Sequence, residues 1–308
     1  MLKHLLVPLD GSRMAESALP TAACIAARVG ALVTLVHVIE KNAPSEIHEE
    51  RHLVARDEAE RYLSEVAARK VLEGLPVKTH VHEAAVSDVA RSITQHTEEL
   101  APDLVVMTAH GRGGARRLIS GSIAQQVIGL GTTPVLLLWP SPEAAATIVR
   151  EDWRMILAPI DGDPAHEKGL PVAAELAEAF RCGLHLLMVT PNAGDLSGPR
   201  AAMSMLLPSA TRLKLELDKA GAEAHLAERA GELRSRGIRT SVEASRGDPA
   251  RAIVRAAKRV TADAVVMGTH GRAGTVAFWE GSVAARVVAR ARIPLLLVPL
   301  REEGTPGH

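Results

Sequence analysis

The chain has 308 residues with 36 acidic and 36 basic side chains, so its formal net charge is zero. This balance gives no general reason to expect nucleic acid or an anionic membrane surface as the main partner. The two cysteines, Cys24 and Cys182, are too few for a disulfide framework and lack a zinc-type spacing, so we expect buried free thiols. Apolar runs too short for a membrane span, and an N-terminus that reaches Pro8 and Asp10 too early for a signal peptide, predict a soluble cytoplasmic protein.

Short β-branched or leucine-rich runs alternate with alanine-rich helical patterns along the whole chain. The predicted strands of the first half are His4 to Pro8, Leu32 to Val38, Val77 to Val81, Leu104 to Thr108 and Val135 to Leu138. Those of the second half are Met155 to Pro159, Leu184 to Val189, Ile238 to Val242, Ala264 to Gly268 and Leu295 to Val298. Such unbroken apolar runs are typical of parallel strands buried on both faces. We therefore predict an α/β fold with two doubly wound domains, each an open five-stranded parallel sheet with helices on both faces.

The two halves repeat one sequence pattern. LLVPLDGS near the start is echoed by ILAPIDGD, which pairs Asp10 with Asp161 at an offset of 151 residues. MTAHGRGGARRLISGSI, from Met107, is echoed by MGTHGRAGTVAFWEGSV, from Met267, at an offset of 160. The nine extra residues predict an insertion in the middle of the second copy, where the sequence is polar and helical. The predicted organisation is a domain over residues 1–141, a linker over 142–152, a domain over 153–302 and a tail over 303–308.

The repeated aspartates and glycines follow the first and fourth predicted strands of each half. In parallel α/β sheets, ligands bind at the carboxyl ends of the strands where the chain direction switches. Gly268 allows the backbone to approach a ligand closely, and Gly281 with Ser282 can open a helix whose free amides attract anions. Two structural explanations compete with this one: the glycines form tight turns, and the aspartates cap helix starts, with Ser12 and Asp163 as rival caps.

The segment from Met267 resembles the universal stress protein family, whose nucleotide-binding members carry GxxG, nine residues, then Gly followed by Ser or Thr. The second copy fits this pattern completely, and the resemblance covers essentially the whole chain as a tandem pair. It implies ATP or a related adenine nucleotide, with or without magnesium, with Asp161 and Val189 near the adenosine part and the glycine loop around the phosphates. The implied site comprises Pro159, Asp161, Val189, Met267, Gly268, Gly271, Arg272, Gly281, Ser282 and Val283.

The first copy departs from the family pattern. Thr108 stands at the position of Gly268, although Arg112, Arg116 and Arg117 make the first loop more basic and partly offset the steric loss. We rank the second site above the first; the alternative is that Thr108 donates its hydroxyl to the ribose and both sites are competent. The corresponding first site comprises Pro8, Asp10, Val38, Met107, Gly111, Gly121, Ser122 and Ile123.

The resemblance also implies how the halves associate. It predicts packing about a pseudo-two-fold axis through the last strands, near Val135 and Leu295. Association of two chains into a homodimer, or with other protein partners, is left open because outer apolar residues cannot be separated from core residues in the sequence.

One further motif points to a different chemistry. Residues 48–52 spell HExxH, which on a helix places two zinc-binding imidazoles on one face, and His80 with His82 could complete such a site. The motif begins a charged segment and has no counterpart in the second copy, so we expect no metal site. The loop histidines His110 and His270 have no carboxylate partner in the sequence and receive no catalytic role.

The sequence contains no P-loop lysine, kinase catalytic loop or metal-binding carboxylate pair, so binding without turnover is favoured. The leading hypothesis is an ATP-binding stress-response protein that acts as a ligand-gated regulator or protective factor. The alternatives are a slow ATPase using the loop amides, Ser282 and magnesium, and an interaction scaffold that binds no nucleotide.

Overall fold

The computed structural model describes residues 1–41, 46–47, 50–51, 53–82, 85–109, 123–139, 152–164, 166–195, 198–269 and 282–300. These residues form two compact units. The first contains the described residues of 1–139 together with 294–300, and the second contains those of 152–269 together with 282–293.

The described residues of 1–139 form seven strands and five helices of the first unit. The strands are β1 (His4–Pro8), β2 (Leu32–His37), β3 (Glu46–Ile47), β4 (Glu50–Arg51), β5 (Val77–Val81), β6 (Leu104–Thr108) and β7 (Val135–Leu138). The helices are α1 (Arg13–Glu16), α2 (Leu19–Val29), α3 (Arg56–Ala67), α4 (Val89–Leu100) and α5 (Ile123–Leu130), with a 3-10 turn at Lys70–Leu72. Strands β5-β2-β1-β6-β7 lie side by side in that order and are all parallel.

The described residues of the second unit repeat this arrangement with four parallel strands. They are β8 (Met155–Ile160), β9 (Gly183–Thr190), β10 (Thr240–Arg246) and β11 (Ala264–Thr269), in the order β10-β9-β8-β11. Its helices are α6 (Gly169–Phe180), α7 (Pro199–Leu206), α8 (Pro208–Ser235), α9 (Pro249–Arg259) and α10 (Val283–Val288), with a 3-10 turn at Ala193–Asp195. The helix α8, 28 residues long, lies where the sequence predicts a helical insertion.

The last strand of the second repeat, β12 (Leu295–Pro299), belongs to the first unit. There it pairs antiparallel with β7, with Leu297 opposite Val135 and Leu295 opposite Leu137. The pairing of these two regions is the one that the family resemblance implies. Each of the ten predicted strands is present, but the fifth strand of the second half, β12, lies in the first unit instead of the second.

The burial of strand residues explains why the strands could be predicted from the sequence. All five residues of β6 are buried, as are Leu5 and Leu6 in β1, so the apolar runs are long and unbroken. Full burial of one such side chain stabilises the fold by about 1.5–3 kcal/mol, which favours these segments as strands. The prediction was wrong mainly at β10, which starts two residues later than expected and continues to Arg246. This strand forms the edge of its sheet, and its partly exposed residues weaken the apolar signal.

The two described residues of the HExxH segment lie in a strand and not in the helix that a metalloprotease site needs. Glu50 and Arg51 form β4, paired with β3 in a small antiparallel hairpin, and the next helix starts only at Arg56. His48, Glu49 and His52 lie outside the described residues. Across the part of the chain that the structure describes, no helix combines the length and apolarity needed to cross a membrane.

Candidate functional site

The first and fourth strands of each repeat are neighbours, as the sequence predicts. Strand β1 pairs with β6, and β8 pairs with β11, with Ile156 opposite Ala264. In each unit the second and third strands of the repeat lie on one side of the first strand and the fourth lies on its other side, so the chain direction switches between the paired strands. Both carboxyl ends therefore border a crevice of the kind in which parallel α/β proteins bind ligands.

In the second unit, Asp161 organises the loop that follows β8. Its Oδ1 accepts the backbone N–H of Asp163 at 3.0 Å, and its Oδ2 lies 2.6 Å from Nδ1 of His166. Gly162 supports this turn with a φ of 85°, a backbone conformation that disfavours other residues. The side chain of Asp161 is 57% exposed, so its carboxylate is accessible to solvent while the loop holds it in place.

The helix-cap explanation is therefore wrong for both aspartates. Helix α6 begins only at Gly169, with no side-chain cap, and Asp163 contributes its carbonyl to the preceding turn. In the first unit the cap of α1 is Ser12, whose Oγ accepts the N–H of Ala15 at 3.1 Å. Asp10 instead accepts both the N–H and the O–H of Ser12, at 2.9 and 2.7 Å. Both aspartates fix loops at strand ends.

A close backbone contact distinguishes the second crevice from the first. A Cβ placed on Gly169 would lie 3.3 Å from both the N of Gly268 and the carbonyl carbon of Met267. The start of α6 thus packs directly on the end of β11. At the matching positions the first copy has Ala18, which is fully buried, and Thr108, which is 3% exposed. Thr108 is therefore packed in the interior at its strand end, whereas Gly268 is partly exposed.

Two hydroxyl groups flank the glycine-rich loop of the second copy. Thr269, the last residue of β11, is 3% exposed, and among the described residues its Oγ1 has no hydrogen-bond partner. Ser282 caps α10 by accepting the N–H of Ala285 at 3.0 Å, which agrees with the prediction that it opens a helix. Because its oxygen is the acceptor in this bond, its O–H can still donate to a ligand.

The remaining predicted residues divide into described and undescribed groups. Pro159, Val189 and Met267 lie in strands of the second unit, and their first-copy counterparts Pro8, Val38 and Met107 lie in or directly after strands. Val189 is partly exposed, whereas Met107 and Met267 are each 6% exposed and belong to the core. Ile123 and Val283 are the first residues of α5 and α10. The predicted residues outside the described part of the chain are His110, Gly111, Arg112, Arg116, Arg117, Gly121, Ser122, His270, Gly271, Arg272 and Gly281.

The structure adds three residues that sequence reasoning missed, namely His166, Glu167 and Gly169. Glu167 is buried and lies 2.6 Å from Nε2 of His225 on α8, and it also forms an ion pair with Arg229 at 3.2 Å. The inserted helix is thus tied to the loop that presents Asp161. The signal was present in DGDPAHEKG, because His and Glu directly follow the turn and a glycine starts the helix.

Comparison with known proteins identifies the family. The model of the universal stress protein family matches residues 1–138 and 153–299. The chain therefore belongs to the universal stress protein family, and it contains two copies of the family domain.

Similar proteins share this tandem organisation over their full length. A universal stress protein of Mycolicibacterium smegmatis is 29% identical over 308 residues, covering 96% of each chain. One of Mycobacterium tuberculosis is 27% identical over 302 residues, covering 95% of each chain. Among solved structures, a universal stress protein from Archaeoglobus fulgidus matches with a TM-score of 0.70 at 19% identity, over 98% of this chain and 97% of its own. This structural match supports the fold.

Proposed function

We propose that the chain binds an adenine nucleotide, ATP or a close relative, at the crevice of its second unit, and that ligand occupancy regulates a stress-response or protective role. One observation carries the proposal. The GxxG segment starts at the end of β11, whose neighbour β8 leads into the loop that presents Asp161. The first residues of the motif and the loop of Asp161 thus follow neighbouring strands, which supports a ligand site at this switch point.

The chemistry of the described residues fits such a ligand. Asp161 offers an exposed carboxylate, which accepts hydrogen bonds from ribose hydroxyls. Each carboxylate oxygen has two lone pairs, so capacity remains beside Asp163 and His166. Ser282, which is partly exposed, offers a hydroxyl donor for phosphate oxygens at the end of the glycine-rich loop. We assign no protein ligand to magnesium, which would accompany the phosphates.

The first crevice is the weaker site in this proposal. The Oδ1 atom of Asp10 already accepts two hydrogen bonds from Ser12, and Thr108 fills the strand end where the second copy has Gly268. The basic loop remains as a phosphate-attracting feature of the first copy. Binding rather than rapid turnover is proposed for both copies, since the sequence lacks the usual apparatus of phosphoryl transfer. Ligand can regulate the protein only through different affinities for two conformations.

The test compares the purified chain with the variant Gly268→Thr, which gives the second copy the residue of the first. Freshly purified protein is denatured, released adenylates are quantified per chain, and ATP affinity is measured by calorimetry. We expect about one equivalent in the parent chain and none in the variant. A saturating ligand at 100 times its Kd should raise the unfolding free energy of the parent chain by about 2.7 kcal/mol.

The matched control is Thr108→Ser, which keeps a hydroxyl at the first strand end and should leave the single equivalent unchanged. Two equivalents in the parent chain would instead favour the interpretation that Thr108 contacts ribose. No bound adenylate, with no binding of added ATP, would replace the proposal with the scaffold hypothesis. Phosphate release that persists unchanged in Gly268→Thr would come from a contaminant rather than from this site.

A further inference from the structure

The inserted helix α8 carries two apolar stripes on opposite sides. The inner stripe is buried against its own unit and consists of Leu215, Ala222, Leu226, Ala230 and Leu233. The outer stripe is exposed and consists of Ala210, Leu213, Leu217, Ala220, Ala224 and Ala227. Its two leucines are 61% and 63% exposed, which is unusual for large apolar side chains on one helix face.

The outer stripe has the spacing of a coiled-coil seam. Its six positions are separated alternately by three and four residues, without a charged residue at any of them. This 3-4 alternation is the heptad pattern by which one helix packs its side chains into another. The stripe spans 18 residues, or roughly 27 Å of helix. A face of this kind fits a second helix better than a flat surface or a small ligand.

The corresponding helix of the first copy has no such face. On α3 the exposed positions are Arg56, Asp57, Glu60, Arg61, Ser64 and Glu65, and none of them is apolar. Several are paired on the helix itself, for example Arg56 with Glu60 at 2.7 Å. The outer stripe is therefore a property of the insertion and not of the repeated fold.

The sizes of the side chains in the outer stripe indicate how a partner helix would pack against it. The N-terminal half of the outer stripe holds both leucines, and the C-terminal half holds only alanines. In a parallel pair, leucines would meet leucines at one end and alanines would meet alanines at the other, which would splay the helices. In an antiparallel pair, Leu213 meets Ala224 and Leu217 meets Ala220, so large and small residues alternate across the seam. The stripe is thus complementary to itself under a two-fold axis near residues 218 and 219.

The charges beside the outer stripe do not oppose this pairing. Lys214 pairs with Asp218 at 3.0 Å, and Lys219 pairs with Glu223 at 3.3 Å. Glu216 pairs with Arg246 of β10 at 3.0 Å. These acidic and basic groups are matched within one chain, so two copies would meet with little net charge on the edges of the seam.

We propose that α8 pairs with α8 of a second copy of this chain, antiparallel, through the outer stripe, and that the full-length protein is a homodimer. Such an interface is isologous, because the same surface serves both subunits. It lies on the side of α8 opposite the buried stripe, so the dimer forms without unpacking either subunit. This inference is independent of nucleotide binding.

The test measures the mass of the full chain by sedimentation velocity across micromolar concentrations, beside the double variant Leu213→Glu and Leu217→Glu. We expect a dimer for the parent chain, and at least about a 100-fold weaker association for the variant, since four glutamates replace leucines in one seam. The matched control is Val54→Glu, which places the same charge on an exposed apolar residue of the first unit. It should leave the dimer intact, and circular dichroism should show all three proteins folded.

Orientation is tested by a spin label at Ser209 of α8, in a background where Cys24 and Cys182 are replaced. Antiparallel pairing places the two labels roughly 28 Å apart along the helix axis, because about 19 residues separate them in projection. A clearly shorter distance, as parallel pairing gives, would overturn the proposed geometry. A monomer at every concentration, or a dimer that survives the double variant, would overturn the interface itself.

Discussion

The two copies of the repeat present different strand ends to their crevices. In the second copy two glycines, Gly169 and Gly268, bring the start of α6 into backbone contact with the end of β11. In the first copy the same positions hold Ala18 and Thr108, both buried. A duplicated fold can therefore keep its strand order while one copy alone brings a helix start into close backbone contact with a strand end.

The largest expected effect comes from Gly169→Val. A Cβ at this position meets backbone atoms of Met267 and Gly268 at 3.3 Å, and backbone cannot move aside as a flexible side chain can. We expect the unfolding free energy to fall by about 2–3 kcal/mol, as for other overpacked sites, together with loss of nucleotide binding. Chemical denaturation and calorimetry measure the two effects. The matched variant Ala18→Gly should leave binding unchanged, and equal losses in both variants would contradict the comparison.

The next effect concerns Thr108→Gly, which gives the first copy the glycine of the second. Removing a buried β-branched side chain from a strand should lower the unfolding free energy by about 1–3 kcal/mol. If the strand end alone prevents nucleotide binding at the first crevice, titration of this variant with ATP should reveal a second bound equivalent of nucleotide. A variant that is destabilised but still binds one equivalent would show that Asp10 and its loop also limit this copy.

A smaller effect is expected from Ser12→Ala in the first copy. The Oγ of Ser12 both caps α1 and donates to Asp10, so its loss should cost about 1–2 kcal/mol of unfolding free energy. The variant Asp163→Ala, at the matching position of the second copy, should cost less because no helix starts there. Urea denaturation of both variants distinguishes the two loops, and a larger loss for Asp163→Ala would refute this assignment.

The smallest expected effect is a pH dependence carried by buried histidines. Burial lowers the pKa of His96, and the neighbouring His80 and His82 lower it further, although Glu99 acts in the opposite direction. Burial also lowers the pKa of His185 in the second unit, where Arg259 adds to the shift. Because each folded-state pKa lies below the unfolded value, keeping these histidines neutral contributes to the free energy of unfolding. This contribution is complete above about pH 6.5 and is lost as the pH falls through the folded-state pKa.

His96→Gln should therefore flatten the acid limb of the stability curve by at most about 1.4 kcal/mol per pH unit. Thermal unfolding between pH 7 and pH 5 measures the slope in the parent chain and in the variant. His166→Gln is the comparison, because this histidine is partly exposed and lies beside Asp161 and Asp163. If His96→Gln left the slope unchanged, His96 would not contribute to the pH dependence of stability.

Much of the fold could be predicted because buried parallel strands leave a strong apolar signal. Strands β1, β5, β6 and β7 have the predicted bounds. Of the two edge strands, β5 has a valine at each end that marks its bounds, whereas β10 has a single large apolar residue, Val242, and its bounds were missed. The short β3–β4 hairpin left no apolar pattern. On α8 the inner and outer stripes are both rich in leucine and alanine, so the sequence could not show which one faces the core.

Residues of the candidate site could be predicted where their chemistry requires a particular residue type. They could not be predicted where packing between elements decides the residue. Asp161 and Ser282 were singled out from their repeated spacing, and Gly268 from the GxxG pattern that the second copy shares with the family. His166 and Glu167 were missed because their partners, Asp161 and His225, are set by the turn and by the insertion. Gly169 was missed because its role depends on the distance between α6 and β11, which a helical pattern does not encode.

Because of strand β12, the two sequence repeats are not expected to fold when they are expressed as separate fragments. It pairs with β7 in the first unit, and Leu295, Leu296 and Leu297 are each no more than 1% exposed. A fragment that ends after the first repeat would leave the backbone groups of β7 open to pairing with other chains, an edge prone to aggregation. A fragment that starts at the second repeat would carry an apolar strand without its partner. Truncation of the gene at the midpoint would therefore yield two aggregation-prone fragments instead of two folded domains.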